Sequence, residues 1–338
     1  PPTEIPPTEE PTVEPTPAWE APEGALVALP VTEAPTLDGL ADDAIWADAP
    51  AITIETENGA NESNTEVTLK AVYDDEMVYF VASWADPTES FFRSPWVKND
   101  DGSWTLMVDP EDQGGDNNLY YEDKLAFIWP IANSMPGFED RGCAVACHEG
   151  EDPKPYGNKY TKEEGQMGDI WHWKSVRNLS QIDDQYLDWT QYSEETKEAG
   201  RHSDPKDSGG YADNATEDKT LPAFMGPEGY PTDGSPGYIL ESEAVAFDDA
   251  LFAAGDYIPA IIKSIIVGDR GDISAEWQWA DGVWTLEFSR KLVTGSEYDV
   301  QFDDLTAVYN FGVATFDNAQ VRHAYQDGVS MLVFQPAQ

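Results

Sequence analysis

Apolar and polar positions alternate with a period of two through much of the chain, the pattern of strands with one buried face. Val67–Tyr73 alternates, with Val67, Leu69, Ala71 and Tyr73 on one side. Met77–Trp84 is a second apolar run, and the polar triplet Asp74-Asp75-Glu76 between them predicts a hairpin. Trp104–Val108 and Asp123–Trp129 are further strand candidates. Ile170–Val176 alternates strictly, so Trp171 and Trp173 face one way while Ile170, His172 and Lys174 face the other. Strands resume over Ile258–Val267. Ile273–Trp279 and Val283–Phe288 then read as a hairpin closed at Ala280-Asp281-Gly282. Leu305–Thr315 and Val329–Phe334 end the series.

Helical periodicity is scarce. Thr36–Trp46 reads as a turn followed by a short helical segment. Many short strands with few helices predict an all-β fold, a sandwich with long loop insertions. Residues 1–24 are dominated by Pro, Thr and Glu and predict a solvated, disordered tether. Residues 25–338 are expected to form a single domain. A polar, Gly/Asp/Pro-rich stretch at about 178–236 is expected to be a loop insertion.

Composition adds two constraints. The 338 residues are 40% hydrophobic and 12% aromatic, enough for a sizeable core. Against 19 basic residues stand 65 acidic ones, a formal net charge of -46. A surface of that sign repels nucleic acid and anionic membranes, so neither is expected as a direct partner. The charge favours cationic partners, divalent ions or a salty medium, and a solubility adaptation is the plainest explanation. No run of 18 apolar residues predicts a membrane span.

The chemistry concentrates in Cys143-Ala-Val-Ala-Cys147-His148, which holds both cysteines of the chain. Two thiols followed directly by a histidine are the arrangement that attaches haem c. Each thiol adds across a haem vinyl group, and the adjacent imidazole becomes an axial iron ligand. Here three residues separate the thiols rather than the commoner two. Positions four apart on a helical turn still share a face, so a short helical attachment segment accommodates the spacing. A local disulfide would be strained over so short a helical loop. Half of a Cys/His zinc site would need further ligands, and three other histidines are the only ones on offer. One covalent haem c, with its iron on His148, is therefore expected. Haem c is attached outside the cytoplasmic membrane, so a removed leader and a periplasmic, extracellular or cell-surface location follow. The tether would suit a lipid- or wall-anchored N-terminus.

Several segments resemble the haem-binding domain of the ethylbenzene dehydrogenase γ-subunit family, which is related to family-9 carbohydrate-binding-module sandwiches. They are Leu37–Trp46, Tyr79–Thr88, Glu122–Trp129, Asp169–Lys174, Gly282–Arg290 and Phe316–His323. The resemblance implies a β-sandwich and an electron-transfer subunit or carrier, often beside molybdenum enzymes or other cytochromes. It also implies one iron ligand from mid-chain and one near the C-terminus, around a haem b held without covalent bonds. The mid-chain position here carries Cys143, Cys147 and His148, so a c-type version is expected. For the ligand opposite His148, the resemblance points to His323. His172 is next, followed by Met167, with Met135, Lys174 and Met331 as remoter candidates. His172, lying between two tryptophans, would otherwise bond a haem propionate or pack in the core.

The oxygen-rich run Asp109–Asn118 is most simply a solvated loop. Asp109, Asp112 and Asp116 would be its calcium ligands if it bound one, although the spacing fits no EF-hand. No catalytic set stands out. The expected function is an exported single-haem cytochrome that carries electrons between redox partners, on its own or as a subunit of a larger oxidoreductase. The alternatives are an extracellular carbohydrate-binding protein and a haem sensor or small haem enzyme such as a peroxidase.

Overall fold

The computed structural model describes residues 19–61, 63–111, 117–146, 159–191, 193, 195–196 and 199–337. Most of the strands belong to one large sheet. In chain order these are β1 (Leu26–Pro30), β2 (Ile52–Thr56), β3 (Thr65–Tyr73), β4 (Met77–Ala85), β5 (Lys124–Pro130), β6 (Gly168–Lys174) and β7 (Gln181–Leu187). They continue with β8 (Arg201–Ser203), β9 (Ile273–Ala280), β10 (Val283–Lys291), β11 (Tyr309–Phe316), β12 (Ala324–Tyr325) and β13 (Ser330–Phe334). Their order is β1-β13-β11-β5-β6-β7-β9-β10-β4-β3-β2, with β8 on β7 and β12 on β11. β1 also runs parallel to β3, so the sheet closes on itself and flattens into two layers.

The predicted turns form as the residues dictate. Asp74 accepts hydrogen bonds from the backbone N–H groups of Glu76 and Met77 at 2.9 and 2.8 Å, closing the β3–β4 hairpin. Asp281 (φ 51°) and Gly282 (φ 81°) both take the left-handed conformation, which matches a two-residue hairpin turn to the strand twist. The short helix appears as α1 (Ile45–Asp48).

The core lies between the layers and is strongly aromatic. Phe80 of β4 stacks on Phe288 of β10 at 4.9 Å and meets Trp171 of β6 edge-on at 5.8 Å. Trp84 meets Trp173 at 5.5 Å, also edge-on. Trp171 and Trp173 are fully buried on the core face, as their alternation predicts. Offset and edge-to-face contacts of this kind add to the area the rings bury.

The stretch at 178–236 departs from the expected loop. It supplies β7 to the middle of the large sheet, as well as β8, and part of a second small core around Trp96, Trp104, Met225 and Phe252. Strand pairing in that region includes Ser208–Asp213 against Ile261–Val267. The reason lies in β7 itself. Its sequence, Gln-Ile-Asp-Asp-Gln-Tyr-Leu, has no apolar alternation, yet Asp183 and Asp184 are fully buried. Charge pairing replaces hydrophobicity there: Asp183 binds Lys174 and Arg270, the latter at 2.5 Å. The tether's first residues lie outside the described part of the chain; Ala21 already packs beside the Ala25, Val27 and Val333 cluster.

The Asp183 pairs are a stability element that can be tested. Burial raises the Asp183 pKa, but Lys174 and Arg270 outweigh it and hold the carboxyl at about 2. A depressed carboxylate stabilises the fold above its unfolded pKa, and that contribution fades as pH falls towards the folded value. Asp183→Ala should destabilise the protein by about 3–5 kcal/mol at neutral pH, because it leaves Lys174 buried without its partner. In urea titrations the gap between wild type and variant should narrow below about pH 4. A neutral-pH loss under about 1 kcal/mol would contradict this account of β7.

Candidate functional site

The outer face of strands β11, β5 and β6 forms the floor of a cleft. Cross-strand register places Gly312, Ala314 and Phe316 of β11 opposite Ile128, Ala126 and Lys124 of β5. Ile128 and Ala126 are in turn opposite Ile170 and His172 of β6. The middle of this surface is made of Gly312, Ala314 and Ala126, side chains too small to fill it. A flat apolar shelf results, whereas the opposite face of the same strands carries the aromatic core.

Three residues singled out from the sequence line this cleft together: Cys143, His172 and His323. Cys143 sits in a short turn, Gly142–Val145, after helix α2 (Phe138–Arg141), and is buried with Met135, Phe138 and Val145. A methyl group added to Gly312 would lie 3.6 Å from the Cys143 Cβ, an ordinary contact, whereas Gly142 at the start of the turn (φ 56°) has no such room: a methyl there would lie 1.9 Å from the Gly328 carbonyl oxygen. His323 reaches the cleft from the connection between β11 and β12. Its ring lies 5.0 Å from Phe316, which also stacks on His172 at 5.5 Å. Lys159 and Arg201 line the same cleft and bring positive charge to it. Cys147 and His148 lie outside the described residues.

A hydrogen-bond relay fixes the state of His172. Lys174, Arg270 and Gln185 all donate to Asp183, Gln185 through Nε2 at 3.2 Å. That contact turns the Gln185 amide so that its Oε1 faces His172 Nδ1 at 3.3 Å. A carbonyl oxygen only accepts, so Nδ1 carries the proton and Nε2 keeps a lone pair. His172 is 4% exposed, and among the described residues Nε2 has no hydrogen-bond partner. Burial pushes its pKa well below the ordinary value, and the charges of Lys174, Lys124 and Arg201 reinforce the shift. The imidazole is therefore neutral, and its lone pair is the form that binds a metal. His323 is oriented similarly, with Nδ1 3.2 Å from the Val321 carbonyl oxygen.

The remaining candidates fall elsewhere. Met167 precedes β6 and is not among the cleft-lining residues; its backbone bonds Ser134 and Ile131. Lys174 is committed to Asp183. Met135 packs behind Cys143. In the acidic run, Asp109 caps its own turn by accepting from the Glu111 N–H at 2.9 Å, and Asp112 and Asp116 lie outside the described residues.

Sequence reasoning missed Gln185 and Asp183, which orient His172, and the cleft cations Lys159 and Arg201. Asp183 and Gln185 sit two residues apart in a run without apolar periodicity. Nothing local in that run signals that they share a face with His172.

Among the described residues no helix is long and apolar enough to cross a membrane. No curated protein sequence matches the chain. Among solved structures the chain is similar to a family-9 carbohydrate-binding module from Caldicellulosiruptor kristjanssonii in complex with cellotriose. The identity is 8%, the match covers 93% of this chain and 95% of the other, and the TM-score is 0.33. The same organism's family-9 module in complex with glucose gives 8% identity, coverage of 92% and 97%, and a TM-score of 0.32. The family model described as ethylbenzene dehydrogenase matches residues 43–328, and the chain belongs to that family.

Proposed function

We propose that the cleft holds a haem and that the protein is an exported, single-haem, c-type electron carrier. The observation that carries this reading is the buried His172 Nε2, a lone pair with no donor among the described residues, on the wall of an apolar cleft that also holds Cys143. A lone pair buried without a partner is costly unless something else binds it. The donor set fits the group. Gly312, Ala314 and Ala126 leave room for a flat macrocycle, and Lys159 and Arg201 suit its propionates. Bound there, the haem iron would supply one-electron chemistry.

In this reading Cys143 and Cys147 would carry the thioether bonds, and His148 and His172 would bind the iron, with His323 next in order. That order reverses the expectation drawn from the family's C-terminal ligand, because the relay through Gln185 leaves His172 neutral and fixed. The chain's own work is then to hold two imidazoles in their neutral tautomers and keep water from the shelf. A histidine pair also places the potential below that of a His/Met pair. The partners would be redox proteins, such as a molybdoenzyme or other cytochromes. The high negative charge would guide a cationic partner face.

A second reading, sugar binding, has its own observation. A separate polar groove is lined by Glu89, Gln278, Trp277 and Trp279, a combination of aromatic faces and hydrogen-bonding groups suited to a saccharide. A change in tryptophan fluorescence on adding cellotriose, unaltered by cysteine replacement, would favour it. Silence at millimolar sugar would leave the carrier reading alone.

Two experiments test the cleft. In the full-length protein produced without haem, nitrogen-detected NMR should show His172 as the Nδ1–H tautomer. It should remain neutral on acidification through about pH 6.5, where an ordinary imidazole is half charged. An Nε2–H signal, or titration at the ordinary value, would remove the basis for its role. In the haem-loaded protein, His172→Ala should convert low-spin ferric iron to a high-spin or water-ligated form, while His323→Ala keeps it low-spin. The opposite outcome would return the ligand to His323. Replacing Cys143 and Cys147 together by alanine should leave any haem extractable by acid-acetone.

A further inference from the structure

A second cluster lies on the core-facing side of β6 and β7, away from the cleft. Asp169 of β6, Asp184 of β7 and Asp299, in the connection between β10 and β11, bring carboxylate oxygens within 4.8 Å of one another. Asp204, directly after β8, and Asp272, directly before β9, surround them. Asp169, Asp184, Asp204 and Asp299 are each at most 3% exposed.

What distinguishes this cluster is the lack of donors. Asp169 Oδ2 is satisfied by Arg290 Nη1 at 2.8 Å and by the Val300 N–H at 2.9 Å, and Asp184 Oδ1 accepts from the Gln185 N–H. Asp169 Oδ1, Asp184 Oδ2, Asp272 Oδ1 and both oxygens of Asp204 and Asp299 have no such partner among the described residues. Asp204 stands within hydrogen-bonding reach of Asp299, and Asp184 of Asp169. Two ionised carboxylates cannot bond each other, so each contact requires a shared proton or a shared cation. Buried Arg290 offsets a single charge. Uncompensated carboxylates at such depth cost several kcal/mol each.

We propose that Asp169, Asp184 and Asp299, backed by Asp204 and Asp272, hold a calcium ion. The chemistry selects the ion. All the available ligands are oxygens, which hard cations prefer and zinc or copper do not. Calcium takes six to eight oxygens in loose geometry, whereas magnesium keeps several of its own waters. The oxygens come from two strands and three connections, so the ion would tie β6, β7 and the segments at 204, 272 and 299 together.

Another buried trio, Asp86, Asp123 and Asp317, is a weaker candidate. Asp123 there accepts from the Ser90 and Asn318 N–H groups and from the Trp284 indole. The test separates the two places. The full-length protein, dialysed in 150 mM KCl with excess magnesium, should retain one equivalent of calcium by elemental analysis. EGTA should lower its melting temperature by about 10 °C, as expected for loss of a tightly bound ligand in a domain of this size. CaCl₂ should restore it, and MgCl₂ at the same concentration should not. Asp299→Asn, on a connection rather than a strand, should abolish both the bound equivalent and the EGTA response. A wild-type protein without stoichiometric calcium and with an unchanged melting temperature would leave the carboxylates sharing protons and overturn the proposal. So would a full calcium response persisting in Asp299→Asn. If that variant does not fold, the wild-type stoichiometry and the EGTA shift still decide.

Discussion

Asp183 is the residue on which the middle of the sheet depends. It is fully buried in a polar strand that no hydrophobic pattern would draw inward. Lys174 and Arg270 compensate its charge, and Gln185 spends its amide protons on the same carboxylate. Without that carboxylate, β7 would keep only Ile182 and Leu187 as buried apolar anchors, and Lys174 and Arg270 would lose their partner. The Gln185 amide would also be free to turn, and the His172 tautomer would lose its determinant. One charge network thus links the folding of a central strand to the chemical state of a side chain in the cleft.

The two faces of β6 and β7 divide the work. On the outer face, Ile170, His172 and the small residues of β5 and β11 make an apolar shelf. On the inner face, Trp171 and Trp173 join the aromatic core, and Asp169 and Asp184 belong to a carboxylate cluster. β6 is consequently buried over its whole length, although its alternation suggests only one buried side. The residues flanking His172 are tied to the core on one side and to buried charges on the other. An imidazole mounted this way has little freedom, which is what a fixed metal ligand needs.

Much of the fold was legible in the sequence. The hairpins at Asp74–Glu76 and Asp281-Gly282 followed from turn chemistry, and Trp171 and Trp173 from period-two alternation. Cys143, His172 and His323 could each be singled out by residue type, but their shared cleft could not. That meeting depends on register between β11, β5 and β6, and on a left-handed glycine at 142 that opens the Cys143 turn. What stayed hidden was built from polar residues. β7 looked like loop because most of its buried side chains are polar or charged, with only Ile182 and Leu187 as buried apolar anchors. The aspartates at 169, 184 and 299 were lost among 65 acidic residues, since nothing in spacing reveals convergence across 130 positions of chain. The acidic run at Asp109, conspicuous by composition, holds a self-capped turn where it is described.

The central claim, a covalently attached haem in the cleft, is most directly tested by a pyridine haemochrome spectrum of the native protein before and after acid-acetone extraction. The account predicts one haem per chain, with the spectrum of a haem whose two vinyl groups are saturated, remaining with the polypeptide after extraction. A colourless protein, or a haem that leaves entirely with the solvent, would contradict it.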